Sequence, residues 1–338
     1  MEKVNVAIAG ATGAVGEAMR EILEERRFPV DRLFLLASER SAGMKLGFGG
    51  KNITVERLED FDFSQVQIGL FSAGGSVSGV HAPRAAEAGC VVVDNTSCFR
   101  RDPNIPLVVP EVNPHRIADY RNAGIIANPN CSTIQMVVAL KPIHDAVGIA
   151  RINVSTYQAV SGAGRKGIEE LATQSARLLN GQEIEVRAFT KQIGFNAIPH
   201  IGNFEANGYT NEEMKMVWET QKILEDEQIE VNPTCVRIPV FYGHSEAVHI
   251  ETRSKITAAE ARELLAVAPG VTLLDEARDA GYPSPVPESS GKDDVFVGRI
   301  REDISHPMGL NLWVVSDNVR KGAATNSIQI AEVLLEQL

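Results

Sequence analysis

The stretch Val4-Asn5-Val6-Ala7-Ile8-Ala9-Gly10-Ala11-Thr12-Gly13-Ala14-Val15-Gly16 decides the fold. Val4 to Ala9 is a short apolar run with the length of a buried strand. Val15, Met19, Ile22 and Leu23 then recur at helical spacing as far as Glu25. The glycines between them permit a tight turn and let backbone N–H groups approach a pyrophosphate at the positive end of the helix. The spacing is G-x-x-G-x-x-G, not the commoner G-x-G-x-x-G, so the strand before it and the helix after it carry much of the signal. The turn predicts a dinucleotide cradle around Gly10, Thr12, Gly13, Ala14 and Val15. A glycine-rich turn without a ligand is the plain alternative.

Working outward, Leu33 to Ala37, Ile68 to Phe71, Val91 to Val93 and Ile125 to Ala127 read as further strands. Val80 to Ala88 reads as an Ala-rich helix closed by Gly89. Short continuous apolar strands separated by helices imply a parallel sheet covered on both faces, here a doubly wound, Rossmann-type α/β domain. Beyond it the strands lengthen and alternate: Arg151 to Val160, Thr234 to Tyr242, Ala247 to Arg253, Asp294 to Ile300 and Asn311 to Ser316. Amphipathic helices are expected over Lys166 to Leu179 and Glu212 to Glu227. This pattern predicts an α+β second domain. A final helix, Ala323 to Leu338, is assigned back to the first domain. The expected division is therefore 1–130 plus 319–338 for the nucleotide domain and 131–318 for the second.

Two domains suit a chain of 338 residues. The net charge of −11 argues against nucleic acid and anionic membranes as partners, since phosphate contacts need clustered Lys and Arg. No apolar run approaches the roughly 18 residues of a membrane span. Met1-Glu2-Lys3-Val4 leads into a strand and lacks the regions of a signal peptide. A cytoplasmic protein with reduced thiols is expected. The four cysteines (Cys90, Cys98, Cys131, Cys235) form no C-x-x-C pair, so no metal site is expected and any special cysteine is a candidate nucleophile.

At the end of the second strand an NAD enzyme usually offers an acid to the ribose 2′-hydroxyl. Here Ala37-Ser38-Glu39-Arg40-Ser41 offers hydroxyls at Ser38 and Ser41 and the guanidinium of Arg40, which suit a 2′-phosphate and predict NADP. Glu39 is the contrary sign, answered if it points to solvent. Ser72-Ala73-Gly74-Gly75 after the third strand is a candidate dinucleotide loop, or a simple turn.

Asn128-Pro129-Asn130-Cys131-Ser132-Thr133 follows a strand and opens a helix. A cysteine at a helix N-terminus feels a positive field and gives up its proton more easily. Cys131 is therefore the candidate nucleophile, with Asn130 and the N–H groups of the helix start as candidate oxyanion donors. Cys90 and Cys235 lie in apolar runs and read as core; Cys98 lies in a polar loop beside Arg100 and is left open, as is His115. Of seven histidines, His244 stands out because Gly243-His244-Ser245 interrupts two strands, with Arg237 earlier on the first. An acid/base and a carboxylate clamp would then share one strand-end site.

These residues together resemble the shorter bacterial type of aspartate-semialdehyde dehydrogenase over essentially the whole chain. The likeness rests on Gly10 to Gly16, Asn128 to Thr133, Gln158 with Ser161-Gly162-Ala163-Gly164, Arg237-Ile238-Pro239-Val240 through Gly243-His244-Ser245, and Asp317-Asn318. The resemblance implies Cys131 as nucleophile, His244 as acid/base, and Gln158 and Arg237 as substrate ligands. It implies Glu212 for the substrate amino group, Lys215 and Arg100 for phosphate (or Arg101, its neighbour), and Ser161, Gly162 and Asn318 along the cofactor. From pattern alone, Glu212 and Lys215 read as an exposed pair on an amphipathic helix. The resemblance further implies NADP-dependent, phosphorylating oxidation of L-aspartate 4-semialdehyde to 4-phospho-L-aspartate through a thioester. That step belongs to the biosynthesis of lysine, methionine, threonine and diaminopimelate. A catalytic and dimerisation role for the second domain and a homodimer or tetramer are implied too. The alternatives are a related acyl-phosphate reductase such as N-acetylglutamyl-phosphate reductase, which carries Gly where this chain has Asn130, and a non-catalytic NADP-binding sensor.

Overall fold

A computed structural model describes residues 2–337, divided into two compact units, Met1–Pro129 with Ala323–Leu338 and Asn130–Gly322. In the first unit the chain runs β1 (Val4–Ala9), α1 (Ala14–Glu25), β2 (Val30–Ala37), β3 (Lys45–Phe48), β4 (Lys51–Arg57), β5 (Ile68–Phe71), α2 (Gly75–Glu87), β6 (Val91–Asp94) and β7 (Ile125–Ala127). The sheet order is β3-β4-β2-β1-β5-β6-β7, parallel throughout except for the β3–β4 hairpin. Strand order reverses between β1 and β5, where doubly wound sheets open a crevice at the carboxyl ends of their strands. The C-terminal helix, Thr325–Leu335, belongs to this unit and is pinned by the Arg26–Glu332 ion pair at 2.7 Å.

Two glycines explain the first turn. Gly10 has φ +91°, and a Cβ there would sit 2.6 Å from the Ser72 carbonyl oxygen. A Cβ at Gly16 would collide with the Gly10 carbonyl, so the bare helix face lets α1 close onto the strand end.

The second unit runs α3 (Cys131–Val147), β8 (Ile149–Gln158), α4 (Arg165–Leu179), α5 (Asn211–Leu224), β9 (Glu230–Arg237), β10 (His244–Thr252), α6 (Ala258–Ala266), β11 (Val271–Leu273), β12 (Val295–Glu302) and β13 (Gly309–Ser316). Its sheet order is β11-β12-β13-β10-β8-β9, mixed in direction: β8 pairs antiparallel with β10 and parallel with β9. Helix α3 is buried all round from Ser132 to Leu140, as a helix must be that lies between a sheet and other helices.

The architecture is the α/β plus α+β combination expected, but several boundaries move. The strand expected over Thr234 to Tyr242 ends at Arg237, because Pro239 has no N–H to continue a ladder. The next strand starts at His244 and not at Ala247, since Gly243 at φ +88° makes the turn just before it. Helix α2 starts at Gly75, five residues before the apolar pattern begins. The β3–β4 hairpin around Gly49-Gly50, α6 and β11 lie outside the expected elements. Among the described residues no helix is long and apolar enough to cross a membrane, and no group of His, Cys, Asp and Glu is placed to hold a metal ion.

Candidate active site

Strand register assembles the site. His244 pairs with Ser316, Gln158 pairs with Arg237, and the Ser245–Tyr157 pair places His244 beside Gln158. Paired residues point to the same face of a sheet, so Ser316, His244, Gln158 and Arg237 form one row across β13, β10, β8 and β9. All four are buried. Gly162 crosses over this row: a Cβ there would lie 2.8 Å from Arg237 Nη1 and 3.5 Å from His244 Nε2. Only a glycine lets the backbone pass this close.

Cys131 is the first residue of α3 and half-buried. It lies near enough for a thiolate there to raise the Arg237 guanidinium, and Gly322 passes so near that a Cβ there would lie 2.8 Å from Cys131 Cβ. Asn130 caps the helix: its Oδ1 accepts from the N–H groups of Ser132 at 3.0 Å and Thr133 at 3.3 Å. Its Nδ2 donates to Glu212 Oε1 at 2.8 Å and its backbone N–H to Glu219 Oε2 at 2.6 Å. The Asn130 amide, expected as an oxyanion donor, holds the helix start through its oxygen and Glu212 through one N–H of its nitrogen.

Glu212 is the hub. Asn130 and, at 3.4 Å, Gln158 Nε2 donate to its Oε1, and Lys215 Nζ donates to its Oε2 at 3.0 Å. Burial pushes this carboxyl up, but the Lys215 charge, the Asn130 and Lys215 hydrogen bonds and the Arg237 charge outweigh it and hold it at about 2. The exposed pair of the pattern reading is therefore a buried carboxylate with an ammonium partner. Arg237 is itself anchored, donating from Nη1 to the Ala159 carbonyl at 2.6 Å, and burial lowers it against the charges of Glu212 and Cys131.

His244 is fully buried, and its Nδ1 accepts from the Ala159 N–H at 3.0 Å. In a neutral imidazole that leaves the proton on Nε2, which has no partner among the described residues. Burial first, then the Arg237 charge, push this histidine down to about 3, with Glu212 and the Gly243 backbone pulling the other way. Asn318 steadies the turn ahead of it: Oδ1 accepts from the Gly243 N–H at 3.0 Å and Nδ2 donates to Ser161 Oγ at 2.9 Å.

In the first unit, Gly10, Thr12, Gly13, Ser38, Ser72 and Ala73 line a cleft of about 510 Å³ at the sheet's reversal point. Ala14 and Val15 open α1 behind it, and Gly74 caps α2. The Gly10 turn and the helix start that follows it both border this cleft. Arg40 and Ser41 are outside the described lining, in the exposed turn that follows Ser38. Glu39 is exposed at the rim of the cleft, near enough to act on Arg57, which is already paired with Glu59 at 3.0 Å and Asp60 at 3.4 Å. Arg100 also belongs to this unit, buried, with Nη2 donating to the Asn95 carbonyl at 3.0 Å. Neighbouring Asp94 is pushed up by burial against hydrogen bonds from Thr96 and Ser78 and the Arg100 charge.

Three contributors were outside the sequence reading. Thr156 Oγ1 accepts from Gln158 Nε2 at 3.2 Å, Glu219 holds Asn130, and Gly322 backs Cys131. Only Thr156 had a readable signal, its place two residues before Gln158 on the same strand face.

Residues 5–120 match the family model for the semialdehyde dehydrogenase NAD binding domain, and residues 140–321 match that for the semialdehyde dehydrogenase dimerisation domain. The chain is 64% identical to aspartate-semialdehyde dehydrogenase 2 of Vibrio cholerae over 334 residues, 99% of this chain and 98% of the relative. A crystal structure of the Vibrio cholerae aspartate semialdehyde dehydrogenase II complexed with ASA superposes with a TM-score of 0.98, at 63% identity and 99% coverage of both chains. A Candida albicans aspartate semialdehyde dehydrogenase crystallised with NADP superposes with a TM-score of 0.78, at 27% identity and 99% coverage of both.

Proposed function

This chain belongs to the aspartate-semialdehyde dehydrogenase family, and on that premise we propose that it interconverts L-aspartate 4-semialdehyde and 4-phospho-L-aspartate through a thioester on Cys131. The observation that carries the reading is the buried row His244, Gln158 and Arg237, with Cys131 near enough for its thiolate to act on Arg237. In the biosynthetic direction, Cys131 attacks the acyl phosphate and expels inorganic phosphate, leaving the thioester. NADPH, when bound, supplies the hydride. The thiohemiacetal oxygen that results takes a hydrogen bond from His244 Nε2–H, and collapse to the aldehyde regenerates the cysteine thiolate. The bond from Ala159 N–H to Nδ1 favours this donor tautomer and opposes an imidazolium, whose second proton would face another donor. Neutral His244 thus acts at the carbonyl oxygen without first withdrawing the Cys131 proton.

Arg237 takes the α-carboxylate by a bidentate contact and Gln158 the same end of the substrate. Glu212, ionised at neutral pH, takes the α-ammonium. An N-acylated substrate has no ammonium to match that buried carboxylate, which disfavours an N-acetylglutamyl-phosphate reductase. Lys215 and Arg100 take the phosphate. For the cofactor, Arg57 is neutralised by Glu59 and Asp60, so Ser38, Arg40 and Ser41 are the groups for a 2′-phosphate, which favours NADP, as in the Candida albicans relative. Ser161, Gly162 and Asn318 would face its nicotinamide end. A homodimer through the second unit, in the cytoplasm, completes the proposal. The test follows NADPH formation from aspartate semialdehyde and NADP with and without phosphate. Phosphate-dependent turnover, abolished in Cys131→Ala, supports it; phosphate-independent turnover or an active Cys131→Ala sinks it.

A further inference from the structure

One row deeper than His244, on the same face of the sheet, lies a carboxyl that the proposed chemistry does not use. Register places Val314, Glu246, Thr156 and Cys235 side by side across β13, β10, β8 and β9. Glu246 is fully buried, and neither of its oxygens has a hydrogen-bond partner among the described residues. Above it α3 brings Gln135, equally buried and with both ends of its amide unpartnered, close enough to bias the Glu246 carboxyl. Buried polar groups left without partners are costly, so a sequence that keeps both here has reason to pair them with each other.

The spacing allows that pairing. Cys131 and Gln135 are four residues apart on α3, a rise of about 6 Å on one helix face. His244 and Glu246 are two residues apart on β10, a rise of about 6.6 Å on one sheet face. The two pitches nearly match. We propose that Gln135 and Glu246 form a second rung, one turn behind the Cys131–His244 rung, and that Glu246 is a positioning residue which keeps the first turn of α3 in register with β10.

The pairing needs an uncharged carboxyl, whose O–H and C=O complement the amide C=O and N–H2 of Gln135. Burial supplies it, outweighing the Gln135 amide, a hydrogen-bond donor that favours the charged form, and holding the Glu246 proton well above the usual carboxylate range. An apolar pair at these positions would pack without penalty but would let the helix slide or turn, because dispersion contacts are not directional. This inference rests on the reading of Cys131 and His244 as the reacting pair.

The experiment compares Glu246→Leu, Glu246→Gln, Gln135→Leu and the double leucine variant with Cys131→Ala as control, in steady-state kinetics and thermal melts. The ladder predicts that Glu246→Leu keeps or raises Tm while kcat falls by about tenfold, with KM for phosphate and aspartate semialdehyde within twofold. Glu246→Gln, which preserves the hydrogen-bonding pattern, recovers most of that kcat. Gln135→Leu loses a similar factor, and the double variant loses no more than either single one, as members of one rung must. Unchanged kcat in Glu246→Leu, a fall in Tm that parallels the fall in kcat, no recovery in Glu246→Gln, or multiplying losses in the double variant would each overturn the ladder. Turnover by Cys131→Ala would instead remove the reacting pair on which it rests, and the two failures are thereby distinct.

Discussion

Asn130 Nδ2 lies 2.8 Å from Glu212 Oε1, which ties the residue that caps the nucleophile's helix to the carboxylate proposed for the substrate amino group. One amide therefore serves two positions: its oxygen holds the N–H groups of Ser132 and Thr133, and its nitrogen holds Glu212. Asn130→Ala removes both. The helix start loses about 1 kcal/mol of capping, read as a fall in Tm. Because Glu212 loses a donor as well, KM for aspartate semialdehyde rises together with a fall in kcat. A variant that lost stability alone would separate the cap from the substrate site.

Gly162 leaves room for Arg237 and His244 by lacking a side chain. Gly162→Ala puts a methyl 2.8 Å from Arg237 Nη1 and 3.5 Å from His244 Nε2. A displacement of about 1 Å at reacting groups costs about a hundredfold in rate. We expect kcat/KM to fall by that order while the circular dichroism spectrum is retained; full activity would mean that the loop yields freely.

Glu212 and His244 both make the protein acid-sensitive, over different ranges. Glu212 is held at about 2, below its ordinary 4.5, so in the folded protein it stays ionised where the unfolded chain takes up a proton. Stability is fully present above about pH 4.5 and is lost as pH falls toward about 2. His244, held at about 3 against an ordinary 6.5, has the same sign, and its loss runs from about pH 6.5 down to about 3. Between pH 6.5 and 4.5 only His244 of these two contributes to the slope. His244→Asn should flatten the dependence of Tm on pH in that upper range and Glu212→Gln in the lower one. The reverse assignment would contradict the burial of the imidazole.

Cofactor choice turns on two arginines. Arg57 lines the cleft but is paired with Glu59 and Asp60, whereas Arg40 lies in the exposed turn after Ser38. A charge-assisted contact is worth about 1.5–3 kcal/mol, so Arg40→Ala should raise KM for NADP by about tenfold or more and leave KM for NAD nearly unchanged. Arg57→Ala should change both alike. Equal effects on NADP from the two variants would remove the distinction.

Much of this was readable from residue order. The Gly10 to Gly16 turn is legible because glycine has a steric meaning that no other residue shares, and the start of α3 because Asn128 to Thr133 separates a strand from an apolar helical run. Glu212 was not, since a carboxylate in the first turn of an amphipathic helix looks solvated until α5 is packed against its neighbours. Nor was Glu246, because strand alternation tells which face a residue takes but not which helix crosses that face. Thr234 to Tyr242 read as one strand because its apolar content continues past Arg237, and only Pro239 marks the break.

Burial sorts the four thiols into two classes. Cys90 and Cys235 are sealed in the core, and burial pushes the Cys90 thiol up to about 12 and the Cys235 thiol higher still. Cys98 is exposed and Cys131 half-buried. An electrophile in the surrounding solution therefore meets two cysteines, of which one is proposed to do the chemistry. A covalent inhibitor of this protein would need selectivity against a single competing sulfur, and exchanging Cys98 for serine would leave a protein that a maleimide dye labels at one defined position.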